Sequence, residues 1–213
     1  HLENLLLEDN PKLTDLSEAG TITYLKCLMI RNTKVSDISF LSGMQDLEEL
    51  WANNCPISDL SCLSGKTKLY RIHLGNDKNE GRISDISCLS AASGLYWLEA
   101  KGNRISDISC LQGKAKLMHL DLDNNSISDL SPLSRCRSLE RVFLKNNKIT
   151  SAAPLAKLTT IESLYLQNNR ISDVAPLAGL TNLKNLYLSG NPVSDYSALR
   201  AIYPKLKGKD FTL

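Results

Sequence analysis

The stretch Ile161-Glu-Ser-Leu164-Tyr-Leu166-Gln-Asn-Asn169-Arg-Ile171-Ser-Asp173-Val-Ala-Pro176-Leu177-Ala-Gly-Leu180-Thr-Asn182 decides the fold, because copies of it run along the whole chain. The position of Ile171 is filled in turn by Val35, Ile57, Ile83, Ile105, Ile127, Ile149, Ile171 and Val193, in steps of 22, 26, 22, 22, 22, 22 and 22 residues. A fixed period of roughly 20 to 29 residues with Leu at constant offsets specifies a solenoid. Two residues earlier stand Thr33, Cys55, Asn103, Asn125, Asn147, Asn169 and Asn191. An Asn amide can bond backbone groups on both sides of a tight turn and carry those bonds from coil to coil. Thr33 and Cys55 are weaker substitutes, so the N-terminal coils are expected to be less regular.

Coils start at Leu25, Leu47, Leu69, Leu95, Leu117, Leu139, Ile161 and Leu183, after an irregular opening coil over residues 1–24. The alternation Leu139-x-x-Val142-x-Leu144 marks a short strand with one face buried. Nine stacked strands about 4.8 Å apart would form a parallel sheet roughly 40 Å long. Most coils continue with Ser-Asp (Ser36-Asp37 through Ser194-Asp195), residue types that cap helical turns, and one carries Thr150-Ser151 instead. Too few residues remain for a long helix, so short 3₁₀ or irregular turns are expected on the far side. The longer step places its extra residues near 77–82, a polar, Gly-bearing loop expected to bulge from one lateral edge. Residues 25–195 hold the regular repeats, and 196–213 leave the pattern.

These residues resemble the leucine-rich repeats, L-x-x-L-x-L-x-x-N-x-I-S-D-I-x-x-L, and the 22-residue unit with Pro-Leu is most similar to the repeats of bacterial internalins. The resemblance implies one α/β leucine-rich repeat solenoid of about nine 22-residue coils, with a concave parallel β-sheet and convex 3₁₀ or irregular turns. It also implies a protein-binding role in adhesion, host contact or a surface scaffold. The segment ending at Tyr203-Pro204 and Leu206 looks similar to the closing piece of such domains, which would complete the solenoid there. An intracellular regulatory subunit similar to phosphatase-binding leucine-rich repeat proteins is the alternative.

The 25 Lys and Arg against 23 Asp and Glu leave a net charge of +2, read as scattered along the repeats, with nothing to favour nucleic acid. No apolar run approaches the roughly 18 residues of a membrane helix, and membrane insertion is not expected. Cys62, Cys88 and Cys110 share the column of Phe40, Pro132, Pro154 and Pro176, and Cys136 shares that of Met44, Leu158 and Leu180. A straight column cannot surround a tetrahedral metal, so no metal or cofactor is expected, and reduced thiols lean towards a reducing compartment. Lys66 and Lys114 fall in an apolar column, where stems can cover the core while the ammonium reaches water.

The outward positions of the strands form two columns, one through Trp51, His73, Glu99, Asp121, Phe143, Tyr165 and Tyr187, the other through Arg71, Trp97, His119 and Arg141. Aromatic and Arg side chains are the ones enriched where proteins bind proteins. These eleven residues are the candidate binding site, with the aromatic side chains as anchors and the charges fixing orientation. His73, Glu99, His119 and Asp121 lie on successive coils of an open sheet with no nucleophile held by a base, so no active site is expected.

Overall fold

The computed structural model describes residues 1–213, and its sheet is one row of ten parallel strands in chain order. They are β1 (Asn4–Leu6), β2 (Cys27–Met29), β3 (Glu49–Trp51), β4 (Arg71–His73), β5 (Trp97–Glu99), β6 (His119–Asp121), β7 (Arg141–Phe143), β8 (Ser163–Tyr165), β9 (Asn185–Tyr187) and β10 (Gly208–Lys209). The leucine-rich repeat solenoid expected from the sequence is therefore present, with 3₁₀ turns on the far side and no α-helix. Nine strands were expected. The tenth arises after the repeat has ended, because Lys207 and Gly208 donate to the Lys184 carbonyl and carry the ladder one step further.

In β2 to β9 the middle residue is buried and most flanking residues are not, so Leu28, Leu50, Ile72, Leu98, Leu120, Val142, Leu164 and Leu186 point inwards and the flanks outwards. The inward residues join those of the turns in one cluster of 55 buried side chains running the length of the solenoid. No coil could enclose such a core alone; stacking closes it.

The Asn column does what its chemistry implies. Asn125 Nδ2 donates to the carbonyls of Ala100, Leu122 and Asp123 at 3.0, 3.1 and 3.2 Å, while Oδ1 accepts the Ile105 N–H at 2.9 Å. Asn147 and Asn169 repeat the set. Thr33 keeps a short bond to the Ile30 carbonyl, 2.8 Å, and accepts the Val35 N–H only at 3.4 Å. Cys55 offers its thiol to the same Ile30 carbonyl. Strand register is nonetheless continuous through these coils, so the loss is in bonds and not in stacking.

In the Ser-Asp pairs it is the Asp that acts. Asp37 Oδ1 accepts the Ser39 N–H at 2.8 Å, and Asp59, Asp85, Asp107, Asp129, Asp173 and Asp195 do likewise. Each bond reaches the first residue of the turn, and Ser151 replaces it with a longer one, 3.2 Å.

Lys66 and Lys114 correct the expectation that their ammonium groups reach water. Both are buried, and Lys114 Nζ donates to the carbonyls of Leu89, Ser90 and Ala92 at 2.8, 2.7 and 2.9 Å. Lys66 Nζ likewise donates to Met44 at 2.8 Å. The carbonyls that end a 3₁₀ turn are short of donors, and here the next coil supplies one. Burial pushes both ammonium groups below the usual lysine range.

All six cysteines are free. Cys136 is core; Cys62, Cys88 and Cys110 are half-buried against it, and burial pushes their thiols up to about 11, 12 and 11. No helix is long and apolar enough to cross a membrane.

Candidate binding face

The outward residues of the strands line up by register. Trp51 pairs with His73, His73 with Glu99, Glu99 with Asp121, Asp121 with Phe143, Phe143 with Tyr165 and Tyr165 with Tyr187. Arg71, Trp97, His119 and Arg141 form the parallel row. All eleven expected residues thus lie on the one open face of the sheet.

Their rings do more than share a face. Trp51 stacks on His73 with centroids 3.8 Å apart and planes 11° from parallel. His73 meets Trp97 at 5.8 Å, Trp97 stacks on His119 at 3.7 Å, and His119 tilts against Phe143 at 5.4 Å. Phe143, Tyr165 and Tyr187 continue at 4.7 and 4.9 Å. Seven rings form one ribbon that changes row between His73 and Trp97 and changes back between His119 and Phe143. The two steps follow from the sequence of the first row, where Glu99 and Asp121 leave no ring to stack on. Offset stacking of this kind contributes roughly 0.5–1.5 kcal/mol per pair beyond buried area. It also makes the ribbon stiff, since each ring is held by its neighbours.

Charged groups fill the places the ribbon leaves. Glu49 accepts from Trp51 Nε1 at 2.9 Å and from the Tyr70 hydroxyl, and Arg71 Nη1 lies 3.6 Å from it. Although burial favours the neutral form, those hydrogen bonds and the guanidinium hold Glu49 below the usual carboxylate range. The guanidinium of Arg71 also sits 5.8 Å from the Trp51 ring and 5.9 Å from the Trp97 ring, a cation placed between two π faces. Glu99 is shared by His73 Nδ1 at 2.9 Å, Asn53 Nδ2 at 3.1 Å and Lys101 Nζ at 3.9 Å. Together with Asn54 and Asp77 these groups border a polar depression of about 280 Å³.

Asp121 has no such partners. It accepts the Asp123 N–H at 3.1 Å, and Asp123 in turn accepts the Lys145 N–H at 2.6 Å. Burial, then the neighbouring charge of Asp123, pushes Asp121 up to about 7. Burial alone is the leading cause that lowers His119 to about 4, leaving it a neutral ring at pH 7. His73 Nε2, Trp97 Nε1 and His119 Nδ1 are buried without a hydrogen-bond partner. Arg141 is exposed and contacts none of the rings as a cation.

Reading the strands alone missed four contributors: Tyr70 one residue before a strand, and Asn53, Lys101 and Asp123 two residues after one. Their signal was available as two further columns flanking the strands. No group of three or more His, Cys, Asp or Glu is arranged to hold a metal.

A family model for leucine-rich repeats, two copies to the unit, matches residues 115–157 and 159–201. No curated protein sequence matches the chain significantly. Among solved structures, an internalin (inlF) of Listeria monocytogenes is 29% identical over 100% of this chain and 62% of its own, with a TM-score of 0.89. The chain therefore spans less than two thirds of that relative. Internalin C2 (inlC2) of the same organism is 30% identical over 90% of this chain and 82% of its own, with a TM-score of 0.81. The ectodomain of the Arabidopsis thaliana receptor kinase GASSHO1/SCHENGEN3, solved in complex with CASPARIAN STRIP INTEGRITY FACTOR 2, shares the fold at 21% identity over 89% of this chain and 24% of its own, TM-score 0.77.

Proposed function

Because this chain belongs to the leucine-rich repeat family, with repeats of the internalin type, we propose that it is a non-catalytic module that binds a protein ligand across its concave face. The observation that carries the reading is the stiff ribbon of seven rings on a solvent-facing sheet. Ordered aromatic surface lets a partner dock with little further loss of side-chain freedom. Trp51, Trp97, Phe143, Tyr165 and Tyr187 are the apolar anchors. Arg71, Glu99, Asp121 and Arg141, with the two histidines, set orientation and reject partners of the wrong charge. The likeness to two Listeria internalins supports a bacterial surface or host-contact role.

Combining Trp51→Ala, Trp97→Ala and Tyr165→Ala tests it. A partner captured by the native chain and identified by mass spectrometry should be lost from this variant while its melting curve stays cooperative. Capture at native strength by the folded variant refutes concave-face binding.

A further inference from the structure

Five of the chain's 25 basic side chains line up on one lateral edge. The residue between the Asn column and the Ile column is Lys34, Pro56, Arg82, Arg104, Ser126, Lys148, Arg170 and Pro192: five cations and no acid. All five are exposed, and none takes part in an ion pair. Lys78, in the loop of the 26-residue coil, is a sixth.

This row is held in place by backbone. The N–H groups of Lys34, Arg104, Lys148 and Arg170 donate to Leu13, Ile83, Ile127 and Ile149 of the preceding coil at 2.8–2.9 Å. At about 4.8 Å per coil the row from Lys34 to Arg170 extends roughly 29 Å.

The inserted loop is equally fixed. Asn76 Oδ1 accepts the N–H groups of Lys78 and Glu80, and Asp77 is braced between Asn54 Nδ2 at 3.0 Å and Lys101 Nζ at 2.9 Å. Gly102, at φ +68°, admits the Asn76 carbonyl where any Cβ would collide with it. Between this loop and the two coils before it lies a cleft of about 560 Å³ lined by polar and charged residues and Pro56, with Lys34, Lys78 and Arg82 on its walls. Asp77 is occupied by Lys101, so Glu80 alone opposes these three cations.

We propose that this edge binds a linear acidic polysaccharide, seated at one end in the cleft and followed along the row by its sulfate or carboxylate groups. Linear, because the cations are aligned and unpaired. Saccharide, because polar and charged side chains line the cleft with Pro56 its one apolar residue, and beside the row run the exposed or half-buried amides of Asn32, Asn54, Asn146 and Asn168, bonded in part along their own column, whose remaining donor and acceptor positions suit hydroxyl groups. Nucleic acid would want aromatic side chains for its bases, and those of this chain lie on the concave face.

The probe is a size-defined heparin oligosaccharide, its affinity measured by fluorescence anisotropy at physiological ionic strength. Replacing Arg82, Arg104, Lys148 and Arg170 by Gln should weaken binding by about tenfold or more, whereas the same charge loss at the exposed Lys116, Arg135, Lys157 and Lys205 should leave it within about twofold. Melting temperatures should not move, and if the fourfold variant melts early the Arg82→Gln/Arg104→Gln pair carries the same comparison. Equal weakening by both sets, or no binding by the native chain, overturns the proposal. So does tighter binding of a single-stranded oligonucleotide or a poly-glutamate peptide of equal charge.

Discussion

The concave face has two halves that share a scaffold and differ in chemistry. From Trp51 to His119 the rings are indole and imidazole, interleaved with Glu49, Arg71, Glu99 and Asp121, and nearly every polar atom is engaged or buried. From Phe143 to Tyr187 the rings are phenyl and phenol, flanked by Arg141, Ser163 and Asn185, with no ion pair among them. The strands beneath are in identical register throughout. What a coil presents on this face is thus decided by two outward side chains, while its stability is decided by the residues between and behind them.

If that separation holds, Leu98→Ala in the first half and Leu164→Ala in the second, both fully buried, should destabilise alike, by about 2–5 kcal/mol in urea unfolding. Markedly unequal costs would show that the ribbon above also carries the fold. Next in size, Asn125→Ala should cost about 2–3 kcal/mol by stranding the buried Ile105 N–H and removing one of the two donors of each of three carbonyls, against about 1 kcal/mol for Thr33→Ala. Equal costs would mean that the Asn ladder is redundant. For the partner of the concave face, Trp51→Ala/Trp97→Ala and Phe143→Ala/Tyr165→Ala can be titrated separately, and each pair should lower affinity by about thirtyfold or more. Loss confined to one pair would place the contact on that half.

The smallest effect is titration. Folding raises Asp121 from 3.8 to about 7, so the folded state holds an extra proton between those values and stability falls as pH rises through that window. Folding lowers His119 from 6.5 to about 4, so stability falls as pH drops through that window. The two slopes oppose each other and largely cancel near pH 5 to 6 in the native chain. Asp121→Asn should leave melting temperature rising between about pH 4 and pH 6.5, and His119→Gln should leave it falling towards pH 7. Tyr165→Phe, in the other half, should change neither profile.

Much of this was readable from periodicity. A period of 22 fixes which residues share a column, and columns fix burial, so the strands, the turns and the identity of the outward face followed directly. What crosses columns did not. The ribbon is diagonal, and linear columns could not show that Trp97 would stack between His73 and His119. The burial of Lys66 and Lys114 does not show in their column, which records size and polarity but not the carbonyls of the preceding turn that wait for a donor. The tenth strand was invisible because backbone pairing needs no side-chain pattern.

The amide of Asn125 reaches back to Ala100 and never forward, and Asn147, Asn169 and Asn191 reach back in the same way. Each coil therefore requires only that its predecessor offer a carbonyl at the end of its strand, whatever that predecessor displays, and Asn103 finds one at Leu74 even across the 26-residue coil. Gain or loss of one 22-residue unit would leave the ladder intact and move everything downstream by one place. Deleting the unit that carries His119 would set Arg141 beside Trp97 and Phe143 beside Glu99, a different face on an unchanged frame. Variation in this chain can proceed by shuffling whole units, and the 26-residue coil, whose loop is matched to Gly102, is the point where an exchange would not be silent.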